Sequence, residues 1–336
     1  MTQEERGPVY APELEGGEWL QGGPVAIRGS GKPVLIDFWD YTCVNCLRTL
    51  PYVTEWHRKY AEHGLVIVGV HTPEFSFAKN PEHVRRAIAA QAIEYPVVLD
   101  AELKIWQAYA NRYWPAKYFI DVAGKIRARH FGEGGYRESE QFLQALIAEQ
   151  DGFTGPLPEL MEAVREEDRA GAVCYRVTPE LYSGLARGNI GNVANLAPDQ
   201  PSTYVDPGKH VEGMLYFEGD WILQAESAAR PFGGKGISRM HLDYMAADVN
   251  LVLHPPITGQ AGSLRVLVDG EPVGGIAGED VSDGAVAVDV PRMYSLIRND
   301  DVERHTLTLE TTSDGLAAFA FTFTSCVAAP PPEVNG

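Results

Sequence analysis

Two cysteines separated by two residues, Cys43-Val-Asn-Cys46, stand where a short apolar run gives way to a helical pattern. This junction constrains the chain more than any other feature. The run Pro33-Val-Leu-Ile-Asp-Phe-Trp39 is bounded by turn residues and reads as a buried strand. Thr42 then offers a side-chain cap for a helix that begins near Cys43 and extends to about Glu62. Unpaired N–H groups and the helix dipole at such a start favour a thiolate, so Cys43 is expected to have a lowered pKa and to act as a nucleophile. Cys46, one turn further in, is the expected resolving thiol. The competing reading is half of a zinc site, which needs two more ligands. His57 and His63 are the nearest histidines in sequence, but they fall further along the same helix, and there is no second CxxC.

The pattern around this junction alternates. A strand fits Leu65–Val70, helices fit Pro81–Gln91 and Leu103–Asn111, strands fit Lys117–Asp121 and Lys125–Phe131 around the turn Val122-Ala-Gly124, and a last helix fits Glu138–Glu149. This order predicts an α/β domain with a mixed central sheet over residues 1–150. Gly152, Gly155, Pro156 and Pro158, followed by the acidic segment Glu159–Asp168, place a linker at 151–171. Beyond it the periodicity changes to short β-rich runs: Val173–Val177, Met214–Phe217, Trp221–Ala225, Met240–Tyr244, Val249–His254, Leu264–Val268, Ala285–Val290, His305–Glu310 and Ala317–Phe323. Turn residues separate them at sandwich-like spacing, which predicts an all-β jelly-roll or sandwich domain over 172–328 and a proline-containing tail at 329–336. A length of 336 residues suits two domains with separate cores.

Charge narrows the partners. Lys and Arg number 28 against 46 Asp and Glu, a formal charge of -18, which disfavours nucleic acid and anionic lipid. No stretch reaches the roughly 18 apolar residues of a membrane-spanning helix. The start Met1-Thr-Gln-Glu-Glu-Arg6 lacks the basic and apolar segments of a secretory signal. A cytoplasmic location is therefore the default expectation, with an extracytoplasmic one if the chain is a piece of a longer exported or membrane-anchored protein. Four cysteines are too few for a disulfide scaffold. Cys174 and Cys326 fall in the first and last strands of the β domain, as small buried hydrophobes or as a structural disulfide in an oxidising compartment.

Several further residues have both a chemical and a packing reading. Asp37, among Leu35, Ile36, Phe38 and Trp39, is expected to be a buried carboxyl with a raised pKa, suited to shuttling the proton of Cys46. A strand-end carboxylate reaching solvent is its plainer reading. Trp39 and Trp114 are expected to shape an apolar substrate surface around the thiols, although a Trp beside a buried strand is as often core. Glu74 follows a strand and serves as a functional loop residue, a cap or a surface charge, while Asn45 and Arg48 lie close to the cysteines without an assignable task. In the β domain Tyr204, Tyr216, Phe217, Trp221, Phe232, Tyr244 and Tyr294 suit either sugar stacking or a sandwich core.

The segment Asp37-Phe-Trp-Asp-Tyr-Thr-Cys-Val-Asn-Cys46, Pro51 five residues later, and Trp114-Pro115-Ala-Lys-Tyr-Phe-Ile-Asp121 resemble thioredoxin-like proteins, in particular the redoxin and TlpA-like branch. The resemblance implies a cis peptide before Pro115, on a strand opposite the cysteines, that holds substrate together with the Trp114 backbone. Tyr41-Thr-Cys-Val-Asn-Cys46, His71-Thr-Pro-Glu-Phe75, Asn111-Arg-Tyr-Trp-Pro115 and Phe131-Gly-Glu-Gly134 are similar to the soluble C-terminal region of DipZ-type proteins, where a thioredoxin-like domain precedes a carbohydrate-binding-module-like β-sandwich. That likeness implies a thiol–disulfide oxidoreductase acting on protein disulfide or dithiol substrates, with a separate redox partner and with neither cofactor nor metal. It also admits a carbohydrate ligand at the sandwich. The alternative is a carbohydrate- or partner-binding protein whose redox domain is auxiliary. Thioredoxins pair the buried Asp with a Lys on the adjacent strand. Leu65–Val70 contains no Lys, so Asp37 is expected to ionise still less readily.

Overall fold

The computed structural model describes residues 9–193 and 196–327, so the acidic start Met1–Arg6 and the tail expected at 329–336 lie outside the described residues. The chain divides into two compact units, residues 1–164 and 165–336.

The first unit is built on six strands: β1 (Glu18–Gln21), β2 (Val34–Trp39), β3 (Val66–His71), β4 (Val97–Leu99), β5 (Ala116–Ile120) and β6 (Ile126–Phe131). Four helices accompany them: α1 (Val44–Tyr60), α2 (Pro81–Ala90), α3 (Lys104–Ala108) and α4 (Tyr136–Ala148). The sheet order is β1-β4-β3-β2-β5-β6, with β2, β3 and β4 parallel and the other pairings antiparallel. Strands β1 and β4 have no counterpart in the sequence pattern, because runs of three or four residues are too short to carry a period. Every residue of β2 is buried, as expected of a strand covered on both faces. Side chains alternate along it: Leu35 and Trp39 pack with Cys46, Leu50 and Val53, whereas Val34, Ile36 and Phe38 pack with Ile105 and Tyr109. Asp37 therefore shares the α1 side of the sheet with Leu35 and Trp39.

Phe153, Leu157 and Met161, within the segment expected as a linker, pack against the core of the first unit. A buried carboxylate ties them down. Glu140 on α4 is fully buried and accepts Lys59 Nζ at 2.6 Å, the Tyr60 hydroxyl at 2.6 Å and the Met161 amide at 2.9 Å.

The second unit is antiparallel throughout its main sheet. Its strands are β7 (Val173–Cys174), β8 (Leu181–Tyr182), β9 (Pro201–Tyr204), β10 (Tyr216–Leu223), β11 (Ala228–Ala229), β12 (Ser238–His254), β13 (Gly262–Val268), β14 (Glu271–Pro272), β15 (Val281–Ser282), β16 (Ala285–Val288), β17 (Arg292–Thr311), β18 (Ala317–Phe323) and β19 (Cys326–Val327). The main path runs β15-β16-β13-β17-β12-β10-β11-β18-β8. The runs expected at Met240–Tyr244 and Val249–His254 are two halves of β12. Irregular pairing between Ala246 and Asp248 and between Val249 and Asn250 shifts the register, so the inward residues change from Met240, Leu242, Tyr244 and Ala246 to Val249, Leu251 and Leu253. That change of phase makes one long strand look like two. Likewise, Met214–Phe217 and Trp221–Ala225 contribute to a single β10.

Tyr204, Tyr216, Phe217, Trp221, Tyr244 and Tyr294 are all buried, which accounts for them as packing, and of the aromatics weighed for stacking only Phe232 is exposed. Cys174 and Cys326 face each other on β7 and β19 and form a disulfide that spans 152 residues of chain.

Glu140→Ala should remove the carboxylate shared by Lys59, the Tyr60 hydroxyl and the Met161 amide and destabilise the chain by about 3–5 kcal/mol. Urea unfolding measures this, and limited proteolysis should show faster cutting near 158–164. A loss below about 1 kcal/mol, the range of an exposed pair, would contradict the structural role given to Glu140.

Candidate active site

Strand β2 delivers the chain directly into the cysteine pair. Asp40, at its end, is fully buried and organises the turn: its carboxylate accepts Thr42 N–H at 2.8 Å, the Thr42 hydroxyl at 2.9 Å and Glu74 N–H at 2.6 Å, while its carbonyl accepts Cys43 N–H at 3.2 Å. The expected cap at Thr42 is thus corrected, because its hydroxyl is committed to Asp40. Cys43 itself is the N-cap of α1, and its sulfur accepts the Cys46 N–H at 3.3 Å. Glu74, one of the residues left open by the sequence, helps hold this turn through its backbone.

The two thiols sit in different surroundings. Cys43 is partly exposed, whereas Cys46 is fully buried within the cluster that holds Trp39, Tyr41 and Leu50. Both are reduced. Burial pushes the Cys46 thiol well up, a hydrogen bond to Cys43 and its nearby charge push the same way, and the negative end of Asp37 adds to them. The Asp40 backbone opposes these effects. Cys46 therefore holds its proton firmly until something takes it.

Asp37 is fully buried, and burial raises its pKa to about 7, with the Lys117 charge acting in the opposite direction. Lys117 overturns the expectation of a carboxyl without a lysine. It lies on β5, directly across from Asp37 in the antiparallel register, and is itself fully buried. The neighbouring strand that supplies the cation is β5, not β3. Burial lowers the Lys117 pKa, while the charges of Asp37, Cys46 and Glu133 raise it. Lys117 Nζ also donates to the Gly132 carbonyl at 3.4 Å. Its place two residues after Pro115 is visible in the sequence, but its position across from Asp37 comes from the strand pairing.

A second buried pair lies behind the turn. His71 Nε2 is 3.7 Å from Asp40 Oδ1, beyond hydrogen-bond distance, and both side chains are fully buried. Burial raises the Asp40 pKa, yet the interactions with His71 and the N–H groups of Glu74 and Thr42 outweigh it and leave the carboxyl below its ordinary range. The His71 ring stacks on Tyr41 at 5.4 Å and meets Trp39 edge-on at 5.0 Å. Neither Asp40 nor His71 stands out in the sequence as a site residue.

The Trp114–Pro115 peptide is cis. Because Ala116 pairs with Phe38, Pro115 stands at the end of β5 beside the end of β2 that leads to Cys43. Trp114 is partly buried against the same cluster as Cys43, its indole N–H donating to the Thr72 carbonyl at 3.0 Å and its ring 4.2 Å from Trp106. Trp39, expected to line the substrate surface, is corrected: it is completely buried and belongs to the core. Arg48 is 3.5 Å from Glu133, which bridges α1 to the Gly132–Gly134 loop.

Residues 20–129 match the AhpC/TSA family, and residues 178–324 match the family described as a thioredoxin like C-terminal domain. Protein DipZ of Mycobacterium tuberculosis (strain CDC 1551 / Oshkosh) is 34% identical over 325 residues, covering 93% of this chain and 42% of DipZ, so the chain spans less than half of that relative's length. Thiol-disulfide oxidoreductase YkuV of Bacillus subtilis (strain 168) is 32% identical over 142 residues, covering 42% of this chain and 95% of YkuV. A solved thioredoxin-like protein in the oxidised form aligns with 30% identity and a TM-score of 0.39 over 43% of this chain and 98% of its own. With a CxxC at a strand-to-helix junction and a relative of this kind matched almost end to end, the chain belongs to the thioredoxin-like thiol–disulfide oxidoreductases.

Proposed function

We propose that the chain exchanges disulfides with protein substrates through Cys43 and Cys46. The observation that carries this reading is the asymmetry of the pair: a partly exposed sulfur at the helix N-cap and a fully buried thiol one turn in. The Cys43 thiolate attacks one sulfur of a substrate disulfide, and the other leaves as a thiolate that takes a proton from solvent. Cys46 then gives its proton to the Asp37 carboxylate and attacks Cys43. The Cys43–Cys46 disulfide forms and the substrate departs as a dithiol. Pro115 and the Trp114 backbone, at the strand end beside Cys43, are the proposed seat of the substrate backbone. In the opposite direction the same steps run in reverse. The Cys174–Cys326 crosslink favours an oxidising, extracytoplasmic compartment over the cytoplasm.

With a protein disulfide as substrate, Cys46→Ser should accumulate a mixed disulfide through Cys43, and Cys43→Ser should trap none. Non-reducing electrophoresis with mass spectrometry of the linked peptide reads the outcome. A linkage through Cys46 would overturn the assigned order of attack.

Asp37 also sets a pH dependence of stability. Its carboxyl titrates at about 7 in the fold against 3.8 as the ordinary value, so the native state holds an extra proton between them and stability falls as pH rises across that window. Asp37→Asn should remove this slope and be more stable above pH 7, by at most roughly 4 kcal/mol. Lys117, left without its counter-charge, offsets part of that gain. Urea midpoints at about pH 5 and about pH 8 test the sign. Equal slopes in the two proteins would contradict a buried, reluctantly ionised Asp37.

A further inference from the structure

The second unit gathers two imidazoles and a carboxylate where the loop after β9 meets the interior strand β12. His241 lies on β12, opposite Tyr216 of β10 and Thr308 of β17. The loop between β9 and β10 brings Asp206 and His210 over it. Within that loop Gly208, with φ of +70°, turns the chain back, so that Asp206 Oδ1 reaches His210 Nε2 at 2.8 Å. The His210 ring lies 5.3 Å from the His241 ring at an interplanar angle of 17° and 4.7 Å from Tyr216, whose hydroxyl accepts the Val211 N–H at 3.1 Å. One nitrogen from each imidazole and one Asp206 oxygen all lie within 4.8 Å of one another.

We infer that Asp206, His210 and His241 form a binding site for a single divalent transition-metal ion, zinc by its donor set. Two imidazoles and a carboxylate are a common zinc complement, and three protein ligands leave a fourth position for water or an external donor. Bonds of about 2.0–2.2 Å to a tetrahedral ion require ligand atoms roughly 3.3 Å apart. Two of the three ligands sit on a loop, so small side-chain rotations bring the triangle to that size.

The outer contacts suit the same purpose. His241 Nδ1 is 3.0 Å from the Thr308 hydroxyl, which fixes the ring and leaves Nε2 on the side of Glu218, 3.3 Å away. His210 Nδ1 is 3.8 Å from Asp243, whose carboxylate accepts the Thr306 hydroxyl at 2.7 Å. Each imidazole thus has one nitrogen toward an ion and a polar partner for the other, as metal-bound histidines do. Arg239 neutralises Glu218 from the other side at 2.8 Å, so the acidic surroundings do not rest on the histidines alone. Such an ion would pin the loop after β9 to β10 and β12. The spacing Asp206-x3-His210 followed by a single distant His241 forms no recognisable metal motif, and only the strand pairing brings the three together.

The test uses the full chain carrying Cys43→Ser and Cys46→Ser, so that the redox thiols take no zinc. After equilibration with low-micromolar zinc and removal of the excess, metal analysis should find one ion per chain, and thermal unfolding should shift upward with added zinc. His210→Gln and Asp206→Asn lie on the loop and should each abolish that stoichiometry while circular dichroism stays unchanged. Thr308→Val should weaken binding by about tenfold or more. Absence of bound zinc in the chain carrying Cys43→Ser and Cys46→Ser, or one ion retained with unchanged affinity in both loop variants, would overturn the site. If His241→Gln disturbs folding, the two loop variants still decide the matter.

Discussion

The whole first unit is arranged around a carboxyl group placed where solvent does not reach. Strand β2 is covered on both faces, and in a strand of this kind five of six side chains are apolar while the sixth is Asp37. An isolated charge there would be prohibitively costly, and the fold answers in two ways: the carboxyl titrates near neutrality, and a lysine equally deprived of water stands across the ladder. Each group limits the cost of the other. The pair lies on the α1 side of the sheet, the side on which Cys46 packs, so the charge state of Asp37 is felt by the buried thiol.

The turn between β2 and α1 translates this arrangement into a difference between two chemically identical side chains. Asp40 gathers amide and hydroxyl donors from Thr42 and Glu74, and that fixes where α1 begins. Cys43 is thereby left at the N-cap with its sulfur partly exposed, and Cys46 is carried one turn inward beneath it. His71, buried beside Asp40, supports the turn from β3. The two cysteines differ here by position within one helical turn, a distinction that backbone hydrogen bonding enforces.

Much of this was legible in the sequence because local signals and burial agree. The apolar run before Cys43, the helix after it and the burial of Asp37 all follow from patterns a few residues long. What stayed hidden depends on contacts between distant segments. Lys117 is 80 positions from Asp37 and meets it only through antiparallel pairing, whereas β3 is the strand that follows β2 in the chain. Trp39 reads equally well as surface or core until the register shows it beneath His71. In the second unit, the bulges within β12 reverse the inward-facing parity, so one strand carries two alternation patterns. Residue type announced the chemistry of the thiols, whereas pairing decided which groups surround them.

If the proton of Cys46 passes to a carboxyl that titrates near neutral pH, resolution by Cys46 must follow the ionisation of Asp37. The most direct measurement is the rate at which the Cys43 mixed disulfide is resolved, followed by stopped-flow tryptophan fluorescence across neutral pH in the unaltered protein and in Asp37→Asn. The rate should rise with pH through an inflection near 7 in the former, as the carboxylate base is formed, and be slower without that inflection in the latter. An inflection of the same size and position in both proteins would assign the titration to another group and contradict the account.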